Sequence, residues 1–290
     1  MTRKTIGMLG GGQLGRMAAL AAAPLDIRTH VFCPENDPPA AQVTSLFTQA
    51  DYSDFDALAR FAQGLDAVTY EFENIPLDTV RFLEGRGVKV YPSSRVLEIA
   101  QDRIKEKSFC NQAGLPTTRF AAAGSGDEIR AVMAQWGTDR CIIKTIRFGY
   151  DGKGQAFIRS PEGADEAFAK LKSEVIIIEE VVDFKEELSV IVARDAHGNA
   201  GCYDIGRNEH KDFILHKTTV PSGLPDDVAR QAQAIALTLA DRIGLVGVLG
   251  VEMFLTRDNR ILVNEIAPRP HNSGHWTIDG CACSQFEQQM

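Results

Sequence analysis

VGVLGVEMFLTRDNRILVNEIAPRP, residues 246 to 270, is the stretch on which the fold turns. Two apolar runs flank Asp258-Asn259, a turn-forming pair, so the segment predicts a β-hairpin. Glu252 and Glu265 are symmetric about that pair, and any even-length loop centred there sets them directly opposite on one face of the sheet. Their side-chain carbons would then lie about 5 Å apart. Like charges so placed are destabilising, so the pair needs a cation between them or must share a proton. Magnesium suits it, as a hard ion held by one or two carboxylates and substrate phosphates. A shared-proton catalytic dyad, which needs no phosphate loop, is a second reading. A third leaves both acids facing water on an edge hairpin, against the apolar character of their neighbours.

A phosphate loop does lie upstream. RFGYDGKGQ, residues 147 to 155, sets Gly149, Gly152 and Gly154 around Lys153 between two strands. Glycines let backbone N–H groups approach an anion, and the lysine adds charge. It is not a Walker A sequence, because no GK[ST] opens a helix. Lys144 ends the strand CIIK, where a buried ammonium wants a phosphate or carboxylate partner. Loop, lysine and paired acids together point to ATP with Mg²⁺. Glu179-Glu180-Val181-Val182, after the apolar VIII, can offer backbone groups to an adenine rim, with Glu187 free to accept ribose hydroxyls. APRPHNSGHW, residues 267 to 276, packs Arg269, His271, Asn272, Ser273 and His275 beside Glu265. Asn-Ser-Gly between the two histidines argues against a helix, and with it against a zinc pair. The segment either holds a second substrate or is a polar loop around a satisfied arginine.

At the other end, GMLGGGQLGRM (residues 7 to 17) carries G-x-G-x-x-G directly after an apolar run. That is where a dinucleotide-binding fold places its phosphate turn, and Glu35 stands where a ribose-binding acid of an NAD site would. The NAD reading leaves the acidic hairpin and the second glycine loop unexplained, and is rejected. Residues 1–94 alternate strand and helix, predicting a Rossmann-like α/β unit with a parallel sheet covered on both faces. Residues 95–290 read as α+β: one charged helix over SRVLEIAQDRIKEKSFCNQAG, strands TTRFAAA, CIIKTI and QAFIRS, two adjacent strands in VIIIEEVVDFKEELSVIVARD, and a long helix in DDVARQAQAIALTLADRIG.

A net charge of -8 argues against nucleic acid as a partner. Six scattered cysteines fit reduced, mostly buried thiols better than a zinc site. No apolar segment approaches the roughly 20 residues of a membrane helix. MTRKTIGMLGGG runs straight into a strand without a secretory region, so a cytoplasmic setting is expected.

The set QDRIKEK, IIKTIRFGYDGKGQ, IIEEVV, VEMF, LVNEIAPR and HNSGHW resembles the ATP-grasp superfamily, and with GGGQLGRM and YEFEN it is similar to the N5-carboxyaminoimidazole ribonucleotide synthetases of purine biosynthesis. The resemblance covers essentially the whole chain. It implies a pre-ATP-grasp domain over 1–94, and an ATP-grasp domain over 95–290 with a lid lobe near 112–183. It implies ATP contacts at Arg103, Lys144, Gly149, Tyr150, Asp151, Gly152, Lys153, Gly154, Gln155, Glu179, Glu180, Val181, Val182, Glu187, His210, Asn264 and Glu265. Mg²⁺ would sit on Glu252 and Glu265. Gly12, Gln13, Leu14, Glu73, Tyr150, Lys153, Arg269, His271 and Asn272 would line the pocket for 5-aminoimidazole ribonucleotide, with Lys144, Lys153 and Arg269 as catalytic cations. Bicarbonate is the second small substrate, and a homodimer the expected assembly. Many ATP-grasp chains carry NExNPR, whereas here Ala267 stands where an Asn ligand would, leaving one fewer protein ligand for the metal. The resemblance implies a further β-rich C-terminal segment, which this chain is expected to lack. The rival functions are another ATP-grasp carboxylase or ligase, which HNSGHW and YEFEN oppose, and a non-catalytic nucleotide-binding protein.

Overall fold

Short apolar runs alternating with amphipathic stretches build the first sheet. In chain order these are β1 (Thr5–Leu9), α1 (Gln13–Ala22), β2 (Arg28–Cys33), β3 (Leu46–Gln49), α2 (Phe55–Phe61), β4 (Ala67–Tyr70) and α3 (Leu77–Gly85), in a computed structural model that describes residues 3–44, 46–147, 149 and 154–290. The strands are all parallel in the order β3-β2-β1-β4. Leu9, Phe32, Phe61, Val68 and Leu83 fill one side, and Met8, Ala18 and Val31 the other. Two-sided burial of this kind is what parallel strands require. The short edge strand β3 has no counterpart in the sequence reading.

The single charged helix expected next is two, α4 (Ser94–Ala100) and α5 (Arg103–Gln112). Asp102 breaks it: its carboxylate accepts the N–H groups of Ile104 and Lys105, both at 3.1 Å, and so caps α5. A capped new start satisfies donors that a helix N-terminus otherwise leaves open. Arg103, Glu106 and Lys107 thereby occupy one face of the first turns of α5.

Two antiparallel sheets follow. β5 (Phe120–Ala123), α6 (Gly126–Trp136), β6 (Cys141–Thr145), β7 (Gln155–Ile158), α7 (Ala164–Leu171) and β8 (Ile176–Glu180) form a small lobe with strand order β5-β8-β6-β7. Its helices cover Cys141, Ile143, Ile176 and Ile178. β9 (Phe184–Arg194), β10 (Ala200–Cys202), β11 (Gly206–Lys211), β12 (Ile214–Thr219), α8 (Asp226–Ile243), β13 (Gly247–Thr256) and β14 (Ile261–Ala267) form the larger unit, ordered β12-β11-β9-β13-β14 with β10 on β9. The two strands read as adjacent, β8 and β9, belong to different sheets, joined by residues 181–183. α8 lays Ala232, Ile235, Ala236, Leu239 and Ile243 against Leu188, Val190, Leu249, Val251 and Met253. Each fully buried Leu or Ile there contributes about 1.5–3 kcal/mol. One face of the sheet supplies the core, which frees the other for polar groups. α9 (Thr277–Gly280) and α10 (Gln285–Gln289) close the chain. No helix among the described residues is long and apolar enough to cross a membrane.

Candidate active site

The polar face of the large sheet presents two rungs. Ser189, Glu252 and Glu265 pair across β9, β13 and β14, and beside them Glu187, Phe254 and Leu262 do the same. Glu252 and Glu265 are thus opposite each other, by a route the sequence did not reveal. The hairpin loop is odd: Thr256 and Arg260 close it, and Asn259 takes φ 62°. Pairing then runs Leu255–Ile261, Phe254–Leu262, Met253–Val263, and jumps to Glu252–Glu265. Asn264 is a bulged extra residue, and it offsets the one-residue error in the assumed loop.

Electrostatics treats the two acids oppositely. Burial and the facing Glu265 push the Glu252 carboxyl well above the ordinary range. Glu265 is held low, because Arg103 and then Lys144 outweigh its burial. Arg103 Nη1 donates to Glu265 Oε2 at 3.0 Å, and its Nη2 to the Gly149 carbonyl at 3.1 Å. The pair therefore holds a proton in the absence of a cation, as directly opposed carboxylates must. The oxygen-only donor set, together with Asn264 Oδ1, which is buried without a partner among the described residues, fits a hard divalent ion. Those residues include no cluster of three or more acidic, His or Cys side chains that could hold a metal.

Lys144 finds a carboxylate: its ammonium lies 2.6 Å from Glu179 Oε2. Lys107 takes the other oxygen at 3.2 Å. Against the pull of burial, Lys144 and Lys107 bring Glu179 down to about 2. Glu179 thus points into the cleft to hold lysines, while Glu180 points away to Arg119 at 2.9 Å, and its N–H is bonded to the Arg119 carbonyl. Among the expected adenine-rim residues, Val181 and Val182 keep backbone groups without a partner among the described residues. Glu187 pairs with His210 at 2.7 Å, which raises the imidazole. In the glycine loop, Gly154 has φ 70° and its carbonyl accepts Thr145 N–H at 2.7 Å, while Gln155 pairs with Lys144. Tyr150, Asp151, Gly152 and Lys153 lie outside the described residues.

On the substrate side, Arg269 does not stand free. Its Nε and Nη2 donate to Glu73 at 2.5 and 3.2 Å, which keeps Glu73 low despite burial. His271 Nε2 lies 3.3 Å from Glu252 Oε1, and burial with Arg269 drops the ring to about 4. Asn272 is exposed at the head of a 3₁₀ turn over Asn272–Gly274.

The first glycine turn was expected to aim Gly12, Gln13 and Leu14 at a substrate phosphate. Instead the Gly12 N–H donates to Glu71, as does the Gly15 N–H at 2.7 Å. A Cβ on Gly10 would meet Glu71 Cγ at 2.5 Å, and one on Gly12 would meet Glu71 Oε1 at 2.7 Å. The glycines make room for an internal acid at the N-terminus of α1. Gln13 and Leu14 retain N–H groups with no acceptor among the described residues. The sequence reading missed Glu71, Glu106 and Lys107. Charged residues at i, i+3 and i+4 in RIKEK, on an otherwise ordinary helix, are the signal that marks the last two.

The family comparisons agree with this arrangement. Residues 3–101 match the ribonucleotide synthetase preATP-grasp domain and residues 108–286 the ATP-grasp domain. A bifunctional purine synthesis protein purC/E of Dictyostelium discoideum is 43% identical over 98% of this chain, which spans 29% of that longer protein. An N5-carboxyaminoimidazole ribonucleotide synthase of Brucella melitensis is 43% identical over 99% of this chain and 79% of its own length. The crystal structure of the ADP complex of purK superposes with TM-score 0.94 at 40% identity, covering 100% of this chain and 76% of that one. The Aspergillus clavatus enzyme with ADP and 5-aminoimidazole ribonucleotide superposes at 0.91 and 30% identity, covering 99% and 75%. A parallel three-layer unit followed by two antiparallel sheets around an acidic cleft is the architecture of an ATP-grasp ligase. The chain belongs to the N5-carboxyaminoimidazole ribonucleotide synthase family, ATP-dependent ligases of purine biosynthesis.

Proposed function

We propose that the chain joins bicarbonate to the exocyclic amine of 5-aminoimidazole ribonucleotide, with ATP cleaved to ADP and phosphate. The observation that carries this reading is the Glu252–Glu265 pair, facing each other on the cleft side of the sheet with Arg103 on one acid and His271 on the other. Bicarbonate is a poor electrophile, because hydroxide leaves badly. A bicarbonate oxygen attacks the γ-phosphorus and ADP departs, and the amine nitrogen then takes the carboxyl carbon while phosphate leaves and the nitrogen loses its proton.

Glu252 and Glu265 would hold Mg²⁺, with Asn264 beside them, and the ion would neutralise charge on the transferring phosphoryl oxygens. Lys144 reaches from the small lobe to the same negative charge, trading Glu179 for a phosphate oxygen, and Lys153 is assigned the same task. Arg103 bridges Glu265 and the loop carbonyl of Gly149, tying the loop to the metal-side acid. Arg269, oriented by Glu73, is assigned to bicarbonate beside the amine, and His271 stays neutral against Glu252. Gln13 and Leu14 offer the open N–H groups toward the ribonucleotide phosphate. Val181, Val182 and Glu187 are assigned to adenine and ribose. A homodimer and a cytoplasmic setting accompany this reading through the family.

Phosphate release measured with and without 5-aminoimidazole ribonucleotide and bicarbonate tests it. Release that needs both substrates and vanishes in Glu265→Gln is expected. Release indifferent to either substrate overturns the substrate assignment, and full activity in Glu265→Gln removes the metal assignment.

A further inference from the structure

Strand alternation along β14 raises a difficulty that α5 resolves. Ile261 and Val263 lie in the core under α8. Continued alternation would bury residue 265 there and turn residue 264 to the cleft. The bulge at Asn264 reverses this, so that Ile266 joins the core and Glu265 faces Glu252. A bulge leaves backbone groups without ladder partners. Here side chains of α5 meet them: Lys107 Nζ donates to the Asn264 carbonyl at 3.0 Å, and Glu106 Oε1 accepts the Ile266 N–H at 2.5 Å. Arg103, on the same helix face, holds the Glu265 carboxylate between them. Three residues of one helix grip three consecutive residues of one strand.

We infer that Lys107, with Glu106 beside it, is a positioning residue for Glu265: the two pin the one-residue bulge that turns this acid from the core to the metal-facing side of the sheet. The inference rests on the reading of Glu252 and Glu265 as the metal pair. Lys107 is 1% exposed; its ammonium also donates to Thr118 Oγ1 at 3.1 Å, and it forms an ion pair with Glu179 Oε1 at 3.2 Å. Two of its donors are used by Thr118 and the Asn264 carbonyl, and its charge is met by Glu179, all inside the protein. Its effect on the site passes through the strand it holds.

The test is calorimetric ADP binding with and without Mg²⁺, which isolates the gain in affinity due to the metal, together with amide hydrogen exchange over residues 261–267. Removing one charge-assisted hydrogen bond that sets the geometry should cut that gain about 10- to 100-fold. Lys107→Met and Glu106→Leu should each show this loss with faster exchange at Ile266, and Glu106→Leu should keep ADP affinity in the absence of metal within about twofold of the parent. Glu106→Gln keeps an acceptor for Ile266 and should retain the gain. Should Lys107→Met not fold, the contrast between Glu106→Leu and Glu106→Gln decides alone. An undiminished metal gain in a folded Lys107→Met or in Glu106→Leu overturns the inference. Glu265→Gln separates the two readings: if it too keeps the gain, the metal assignment has failed, whereas loss there with retention in the helix variants refutes only the role of α5.

Discussion

Glu179→Gln removes the one carboxylate that faces two lysines among the described residues. The acid is held near 2 instead of its ordinary 4.5, which is worth about 3 kcal/mol of stability at neutral pH. A second route gives a similar figure: breaking a buried ion pair by deleting one partner costs about 3–5 kcal/mol, since the other charge stays buried. Both Glu179 and Lys107 are at most 4% exposed at the side chain, so solvent screening takes little from either estimate. The sign follows from a depressed value. The contribution is fully present above pH 4.5 and is lost as pH falls through about 2. Urea unfolding of parent and variant at pH 7 should show the midpoint lowered by about 1 M. At pH 3 the gap should shrink to less than half. Equal midpoints at pH 7, or a gap that does not narrow in acid, would refute the account of the lysine–carboxylate triad.

The same cleft and the first glycine turn set three further outcomes. Lys144→Met should weaken Mg·ADP binding about 10- to 100-fold, as loss of a charge-assisted contact does; calorimetry showing unchanged affinity would mean the lysine does not face the phosphates. Because Glu252 is pushed up, a metal that needs both carboxylates ionised should expel a proton on binding below that raised value, so Mg²⁺ affinity should climb with pH and then level off. Titration in two buffers of different ionisation enthalpy reads the proton directly, and no release near pH 6 would contradict the paired-acid site. Gly12→Ala forces a methyl against Glu71 Oε1 and should cost about 1–3 kcal/mol. It should also raise KM for 5-aminoimidazole ribonucleotide, because Glu73 lies two residues on; unchanged melting would show that the turn accommodates the methyl.

The hairpin shows how far the sequence carried and where it stopped. Its existence and the opposition of its acids were legible, but the loop is one residue out and the bulge one residue back. Ile261, Val263 and Ile266 break the period of two, and that break was the available sign of a bulge. The crossing from β8 to β9 left no comparable sign, since VIIIEEVVDFKEELSVIVARD is apolar on both sides of a sheet change. β11 and β12 read as GRNEHK and ILHKTT, polar on a face that lines a cleft, so alternation never surfaced. The first glycine turn was legible as an anion-binding geometry. What no local pattern could say was that much of the binding is to Glu71, an acid that arrives from β4 fifty-six residues beyond Gly15.

Taken together, the cleft's charges suggest how it waits for a nucleotide. Arg103, Lys144 and Arg269 all have carboxylate partners, namely Glu265, Glu179 and Glu73. The three acids that face these cations are held low, whereas Glu252, set against another carboxylate, and Glu106, bonded to a backbone amide, are pushed up. Burial alone would neutralise all five, so the pattern of partners sorts them. A triphosphate entering this cleft exchanges partners with cations that are already paired. The gain per contact is then the difference between a phosphate and a carboxylate, much smaller than the full attraction of an unpaired lysine. Tight binding under those terms requires that a displaced acid find a new positive partner, and Glu265, once Arg103 turns to phosphate, has one only if a cation sits between it and Glu252. Nucleotide and metal should therefore bind with positive coupling, each improving the other's affinity by the same factor. ADP titrations across Mg²⁺ concentrations read that factor, and equal affinity with and without the ion would show that the acids were never a metal pair.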